Sequence, residues 1–132
     1  MQITRQADYA IRAVRFLSRL GSNQRASTST VAREMKIPPS FLAKIISQLS
    51  IAGLLHTSRG AKGGVSLARN SKDISLLDVV EAIDGPILLN ECVGDPDGCQ
   101  FSDECAMHPI WKEAQEGLVK RLGETTFASL AG

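Results

Sequence analysis

Acidic residues are nearly missing from the first half of this 132-residue chain. Between Met1 and Asn70 only Asp8 and Glu34 oppose eleven Lys and Arg, a balance of +9 (eleven minus two). From Ser71 to Gly132 four bases meet twelve acids, a balance of −8 (four minus twelve), so the overall net charge of +1 conceals a division. A basic half joined to an acidic half suggests that one of them faces a polyanion. Solvated helix faces are the plainer source of such charge, and the contents of the basic half decide between the two. Long apolar runs are missing as well. Nothing approaches the roughly 18 consecutive apolar residues of a membrane span. The opening M-Q-I-T-R-Q-A-D-Y-A-I-R carries charge throughout and holds no apolar signal core. The expectation is a cytoplasmic protein with no membrane partner, whose thiols stay reduced. Cysteine is scarce: there are 3, and no C-x-x-C pair. Of the 2 histidines only His108 lies near them in sequence, and Asp97, Asp103 and Glu104 disfavour a thiolate there. A reactive cysteine needs a lowered pKa and a nearby base, so an enzyme is not expected.

What the chain does have is a stretch in which all 3 cysteines gather, C-V-G-D-P-D-G-C-Q-F-S-D-E-C-A-M-H, from Cys92 to His108. Six residues separate Cys92 from Cys99, five separate Cys99 from Cys105, and two separate Cys105 from His108. Between them stand Gly94, Asp95, Pro96, Asp97, Gly98, Ser102 and Asp103, which form turns rather than core. Such company does not suit cysteines buried as small hydrophobes, and a disulfide would leave one thiol over. A loop that brings thiols and an imidazole together suits a soft metal centre: zinc, copper or an iron–sulfur cluster. Three cysteines and a histidine also form an accepted structural zinc set.

The rest reads as a mainly α chain. Ile3, Ala7, Ala10, Ile11, Val14, Leu17 and Leu20 recur at helical spacing and predict a helix over Ile3–Leu20, capped by Thr4 and closed by Gly21. Thr28 or Ser29 caps a second, short helix with Val31, Ala32 and Met35 on its apolar side. Ile37-Pro38-Pro39 forces a turn, and Ser40–Ala52 forms a third helix with a Phe41, Ile45, Leu49 stripe widened by Leu42 and Ile46. Its other side, Ser40, Lys44, Ser47 and Gln48, is small, polar and cationic, as a helix entering a DNA major groove requires. Strands over 54–58 and 65–68 enclose Arg59-Gly60-Ala61-Lys62-Gly63-Gly64, a hairpin tip whose glycines allow close approach and whose cations grip phosphate or enter a narrow groove. No helix opens directly after those glycines, which argues against a nucleotide-phosphate cradle. Helix, helix, helix, hairpin is the winged helix-turn-helix order. A fourth helix follows a Ser75 cap and ends at Gly85-Pro86; after the cysteine loop come a long helix from Pro109 to about Leu122 and a short one over 126–130. The expected organisation is a DNA-binding domain over 1–70 with a two-stranded β wing, then a cysteine-cluster loop and dimerisation helices over 71–132. The long helix carries Ile110, Ala114, Leu118 and Leu122, with Trp111 and Val119 broadening the face. Pairing it with a twin gives a homodimer that presents two reading heads to a palindromic site.

Taken together, I-T-R-Q-A-D-Y-A-I-R-A, I-P-P-S-F-L-A-K-I-I-S-Q-L, R-G-A-K-G-G-V-S-L-A, L-L-D-V-V-E-A-I-D-G and the three-cysteine loop resemble the bacterial IscR/NsrR-type winged-helix transcription regulators. The resemblance covers nearly the whole chain. It implies a homodimer that binds double-stranded promoter DNA under control of a two-iron or four-iron cluster. Cys92, Cys99 and Cys105 would be ligands, with His108 as the fourth in the IscR-like pattern or Asp8 in the NsrR-like one. It also places Ser40 and Lys44 against bases and Arg59, Gly60, Lys62, Gly63 and Gly64 in the wing. Thr28 and Ser29, at a helix start, are further candidates for phosphate contact. Ala43 stands where the IscR-like pattern has a glutamate. A regulator with structural zinc, or an adaptor that binds protein through the wing and acidic tail, are the other readings.

Overall fold

The computed structural model describes residues 2–21, 23–60, 63–90, 93 and 104–130. Helix α1, Arg5–Leu20, starts at Thr4, whose hydroxyl accepts the Ala7 amide at 3.1 Å. Ala7, Ala10, Val14 and Leu17 are buried as the periodicity predicts, joined by Tyr9 and Ala13. Ile3 and Leu20, assigned to that stripe, are instead 42% and 39% exposed, because they lie at the helix ends beyond the elements that cover its middle. Helix α2 is Thr28–Met35 and helix α3 is Pro39–Ile51. The cap of α2 is Ser27, accepting from the Thr30 amide at 3.1 Å, rather than Thr28 or Ser29, which fall inside the first turn. The corner between α2 and α3 turns on Lys36 at φ 56°, ψ 48°, a left-handed conformation unusual for a side chain with a Cβ. Pro39 then supplies a preset φ at the start of α3.

Strands β1, Leu55–Ser58, and β2, Gly64–Leu67, pair antiparallel with Leu55 opposite Leu67 and Ser58 opposite Gly64. A third piece of backbone completes this wing. The Ala26 amide donates to Val65 O at 3.0 Å and the Val65 amide to Ala26 O at 2.8 Å. The hairpin is thereby tied to the connection between α1 and α2 and cannot swing as a free arm.

After a single 3-10 turn over Ser71–Asp73, helix α4 runs Leu76–Asp84 behind a reciprocal capping box: Ser75 N–H donates to Asp78 at 2.9 Å and Asp78 N–H to Ser75 Oγ at 3.1 Å. Helix α5 is His108–Glu124 and a last turn, α6, is Phe127–Leu130. The C-terminal segment folds back on the front of the molecule. Leu76 N–H donates to Thr125 O (2.9 Å), Phe127 N–H to Ile74 O (3.0 Å), and Arg15 Nε to Leu130 O (3.3 Å). Phe127 is fully buried, and it shares one hydrophobic core with Val14, Leu17, Leu42, Ile45, Leu49, Val65, Ile74 and Val79. The residues after 70 therefore share a core with those before it. At the other end of α1, Thr4 Oγ1 donates to Asp84 at 2.6 Å, which sets the end of α4 against the start of α1. Among the described residues no helix is long and apolar enough to cross a membrane.

Candidate functional site

Two regions carry chemistry. The first is the face made by α2, α3 and the wing. In α3, Leu42, Ile45, Ile46 and Leu49 are buried, so Ser40, Ala43, Lys44 and Ser47 point to solvent one and two turns apart. Phe41 differs from its expected place in the core stripe. It is 41% exposed and meets the Tyr9 ring edge-on, centroids 6.0 Å apart, because the buried arc of α3 is centred on Ile45 and Leu42, leaving Phe41 at its border. Gln48 is half-buried and its Oε1 is enclosed without a partner. A cleft of about 360 Å³ runs between α2 and α3, lined in part by Thr28, Ser29, Arg33, Pro39 and Ala43. Thr28 and Ser29 are exposed along it. Arg59 and Gly60 are exposed at the wing tip, and Gly63 N–H donates to Gly60 O at 2.9 Å. Lys62 lies outside the described residues. Gly64 is a place where only glycine fits: φ is +153° and a Cβ would stand 2.5 Å from Ala26 O. This exposed row of hydroxyls, cations and closely approachable backbone is what phosphate gripping and groove entry require.

The second region is the start of α5. Cys92 and Cys99 lie outside the described residues. Cys105 is a free, half-buried cysteine, and its carbonyl accepts the His108 amide at 3.3 Å, which sets the two residues on one turn. His108 is half-buried, and its Nδ1 is buried with no hydrogen-bond partner among the described residues. An enclosed imidazole nitrogen left unpaired is costly unless something coordinates or bonds it. A thiol and such a nitrogen on one turn fit a soft metal ion or cluster as two of its donors. Among the described residues no three of His, Cys, Asp and Glu converge on one point.

Asp8, the alternative donor, is in α1. Its carboxylate pairs with the Arg12 guanidinium at 2.8 Å, both side chains about half exposed. Arg12 also lies over the Tyr9 ring, 5.3 Å from its centroid, and reaches Met35 O at 3.5 Å. In this conformation Asp8 is held by an arginine of its own helix.

Helix α5 has two apolar faces where the sequence suggested one. His108, Gln115, Leu118, Val119 and Leu122 are half-buried and turned toward the rest of the chain; Leu77 of α4 lies 3.5 Å from where a Cβ on Gly123 would be. Met107, Ile110 and Ala114 face solvent, Met107 at 56% and Ile110 at 62% exposure, with Trp111 on the border at 39%. Nothing among the described residues covers this outward stripe. Gln115 carries no signal in the sequence, although its side chain accepts the Leu89 amide at 3.0 Å. The Ala26 anchor of the wing is equally silent there, since a lone residue pairing across a loop leaves no periodic pattern.

Comparisons with known proteins agree with this geometry. A family model described as Rrf2, iron-dependent transcriptional regulator, matches residues 3–132. A Mycobacterium tuberculosis protein bearing the name of an HTH-type transcriptional regulator is 33% identical over 132 residues, covering 100% of this chain and 82% of that protein. Protein rrf2 of Nitratidesulfovibrio vulgaris is 31% identical over 130 residues, 98% of this chain and 87% of its own. Among solved structures, CymR (YrzC), the global cysteine regulator of B. subtilis, superposes with a TM-score of 0.84 at 24% identity, covering 99% of this chain and 96% of that one. T. potens IscR superposes with a TM-score of 0.78 at 21% identity, covering 98% and 85%. At such identities the structural likeness speaks for the fold.

Proposed function

The chain belongs to the Rrf2 family of transcriptional regulators, and from that membership we propose that it acts as a homodimer on palindromic promoter DNA under the control of an iron–sulfur cluster. The observation that carries the cluster reading is the buried, unpartnered Nδ1 of His108 one turn from the free thiol of Cys105, at the end of a stretch that also contains Cys92 and Cys99. Cys92, Cys99, Cys105 and His108 would hold the cluster, with Asp8 as the alternative fourth donor if Arg12 releases it. When bound, such a cluster supplies a centre that oxygen, nitric oxide or iron shortage alters at a thiolate-rich site.

The chain's own residues carry the consequence to DNA. The cysteine stretch joins α4 to α5. Helix α4 is bound to the start of α1 through Asp84 and Thr4, and α1 underlies both α2 and α3. The outward stripe of α5 would meet its twin, so the position of α5 relative to α4 sets the spacing of the two reading heads. Ser40, Lys44, Ser47 and Gln48 of each head would face base edges, while Arg59, Gly60, Lys62, Gly63 and Gly64 approach the backbone or minor groove. Thr28 and Ser29 would meet phosphates flanking α3. The division at residue 70 is in this view a division of labour, with reading before it and sensing and pairing after it.

Anaerobic purification tests the reading. The protein should be brown, with sulfur-to-iron charge-transfer absorption, and operator binding in a gel shift should differ between cofactor-loaded and cofactor-free forms. The Cys92→Ser, Cys99→Ser, Cys105→Ser triple variant should lose that difference; a triple variant that binds and releases its operator as the parent does refutes cluster control. Three cysteines and a histidine also favour zinc as a second reading. Elemental analysis separates them, since a zinc form is colourless and indifferent to brief oxygen or nitric oxide.

A further inference from the structure

Exposed side chains on α3 follow one face. Ser40, Ala43, Lys44 and Ser47 recur at helical spacing and all open to solvent, while Leu42, Ile45, Ile46 and Leu49 hold the helix to the core. Ser40, Lys44 and Ser47 can hydrogen-bond; Ala43 cannot. It does not stand alone. Pro39, also exposed, lies one turn before it, so the ring and the methyl group are neighbours on the helix surface. Both line the cleft of about 360 Å³ between α2 and α3, whose lining also includes Ala32, Ile37 and Leu42, at 8%, 3% and 1% exposure. The opposite lip carries Arg33 and the exposed Thr28 and Ser29 hydroxyls. The result is an apolar notch, walled by groups that suit an anion, on a face that is otherwise polar and cationic.

We propose that Ala43, with Pro39 beside it, is a specificity-determining residue that selects a thymine in each half-site by its C5-methyl group. This deepens the promoter-binding reading above and rests on it. In the major groove the base edges present hydrogen-bond donors and acceptors, and the thymine C5-methyl is the apolar group among them. A base pair that turns a donor or acceptor toward Ala43 gives up its water there and gains no bond in return, which is costly. A thymine methyl gains by leaving water and is covered by the notch. The selection therefore has two parts, a gain for thymine and a loss for the other bases. Thr28 and Ser29, across the cleft, grip the phosphate that flanks this base, while Ser40 and Lys44 read donors and acceptors of neighbouring pairs. Alanine at an exposed helical position has a plainer source, its high helix propensity. That source predicts no response to the methyl group.

The test starts from operators that the full chain selects from a pool of random duplexes, with cofactor-loaded and cofactor-free protein used separately. Each thymine of the selected site is then replaced by uracil, which removes the C5-methyl group and nothing else, and dissociation constants are measured. One thymine position per half-site is expected to weaken binding about fourfold on losing its methyl group, the scale of burying one such group, and about 15-fold with both half-sites changed. In Ala43→Gly the thymine and uracil duplexes should bind alike at that position. The comparison is made within one protein, so a general loss of helix stability cancels. Ala43→Asn gives a second readout: repeated selection should lose thymine at that position and keep the parent's bases elsewhere. Uracil tolerated at every position, a uracil effect unchanged in Ala43→Gly, or a thymine retained by Ala43→Asn overturns the inference and leaves the promoter-binding reading standing. A chain that enriches no duplex sinks the promoter-binding reading, and the inference with it.

Discussion

Replacing Ile110 with Ala isolates the proposed dimer contact, because the side chain is 62% exposed within one chain and removing it leaves the protomer's core untouched. Alanine is also the better helix former, so α5 itself is not weakened. Fully burying an isoleucine contributes about 1.5–3 kcal/mol relative to leaving it in water. Docking can hide only the exposed part, so each copy contributes about 1–2 kcal/mol. In a two-fold interface the same residue appears twice. The double loss is about 3 kcal/mol, or on the order of 100-fold in the dimer dissociation constant. Sedimentation over a dilution series measures it directly. The control is Ile51→Ala: Ile51 is 86% exposed, more than Ile110, but it stands at the end of α3. An Ile110→Ala protein that stays as dimeric as the parent, or an Ile51→Ala protein that dissociates equally, refutes the assignment of the outward face of α5 as the pairing surface.

Three further outcomes follow from local geometry. Gly64→Ala puts a Cβ 2.5 Å from Ala26 O at φ +153°, so it should cost about 1–3 kcal/mol, seen in thermal denaturation, and weaken operator binding by loosening the wing from its Ala26 anchor. Lys36→Gly relieves a left-handed residue at φ 56° and should stabilise by about 1 kcal/mol, raising Tm by a few degrees; no rise would mean that the αL corner is held by interactions of the lysine itself. Arg59→Ala should weaken operator binding and reduce the magnitude of its log–log salt slope by about 0.9 for each phosphate that the arginine neutralises, with cofactor content unchanged. An unaltered slope would remove Arg59 from the phosphate-binding set.

Periodicity made most of the fold legible. The centre of α1, the α4 capping box and the helix-turn-helix corner all follow from residue types at fixed spacing, because each is a local interaction within one or two turns. The failures are contacts across the chain. Among the described residues Phe127 is the largest fully buried side chain, yet a short terminal segment gives no pattern long enough to announce it; its amide is tied to the carbonyl of Ile74, far off in sequence. Ser27 outcompetes Thr28 and Ser29 as a cap because a cap is chosen by where the backbone leaves the extended region, and a run of four hydroxyl residues, Ser27 to Thr30, leaves that choice to tertiary contacts.

The candidate site was legible in the same uneven way. Cysteine spacing suggested thiolates and an imidazole as ligand types, since thiols among turn formers have few other uses, but it could not say which face of α5 the imidazole occupies. The structure resolves His108 onto the inward face with Gln115, and Ile110 onto the outward one. A stripe at strict fourth positions drifts about 40° per turn around a 3.6-residue helix, so Ile110, Ala114, Leu118 and Leu122 pass from the solvent side to the inner side over three turns. That drift has a functional consequence. In the proposed dimer one helix would present its first turns to a partner while its last turns pack near α4, and the imidazole at its start looks inward. On the proposed reading, a change at the cysteine stretch would act on the end of α5 that meets the partner, while the other end packs near Leu77. A lever held at one end and moved at the other converts a small local shift into a larger change of spacing between two reading heads.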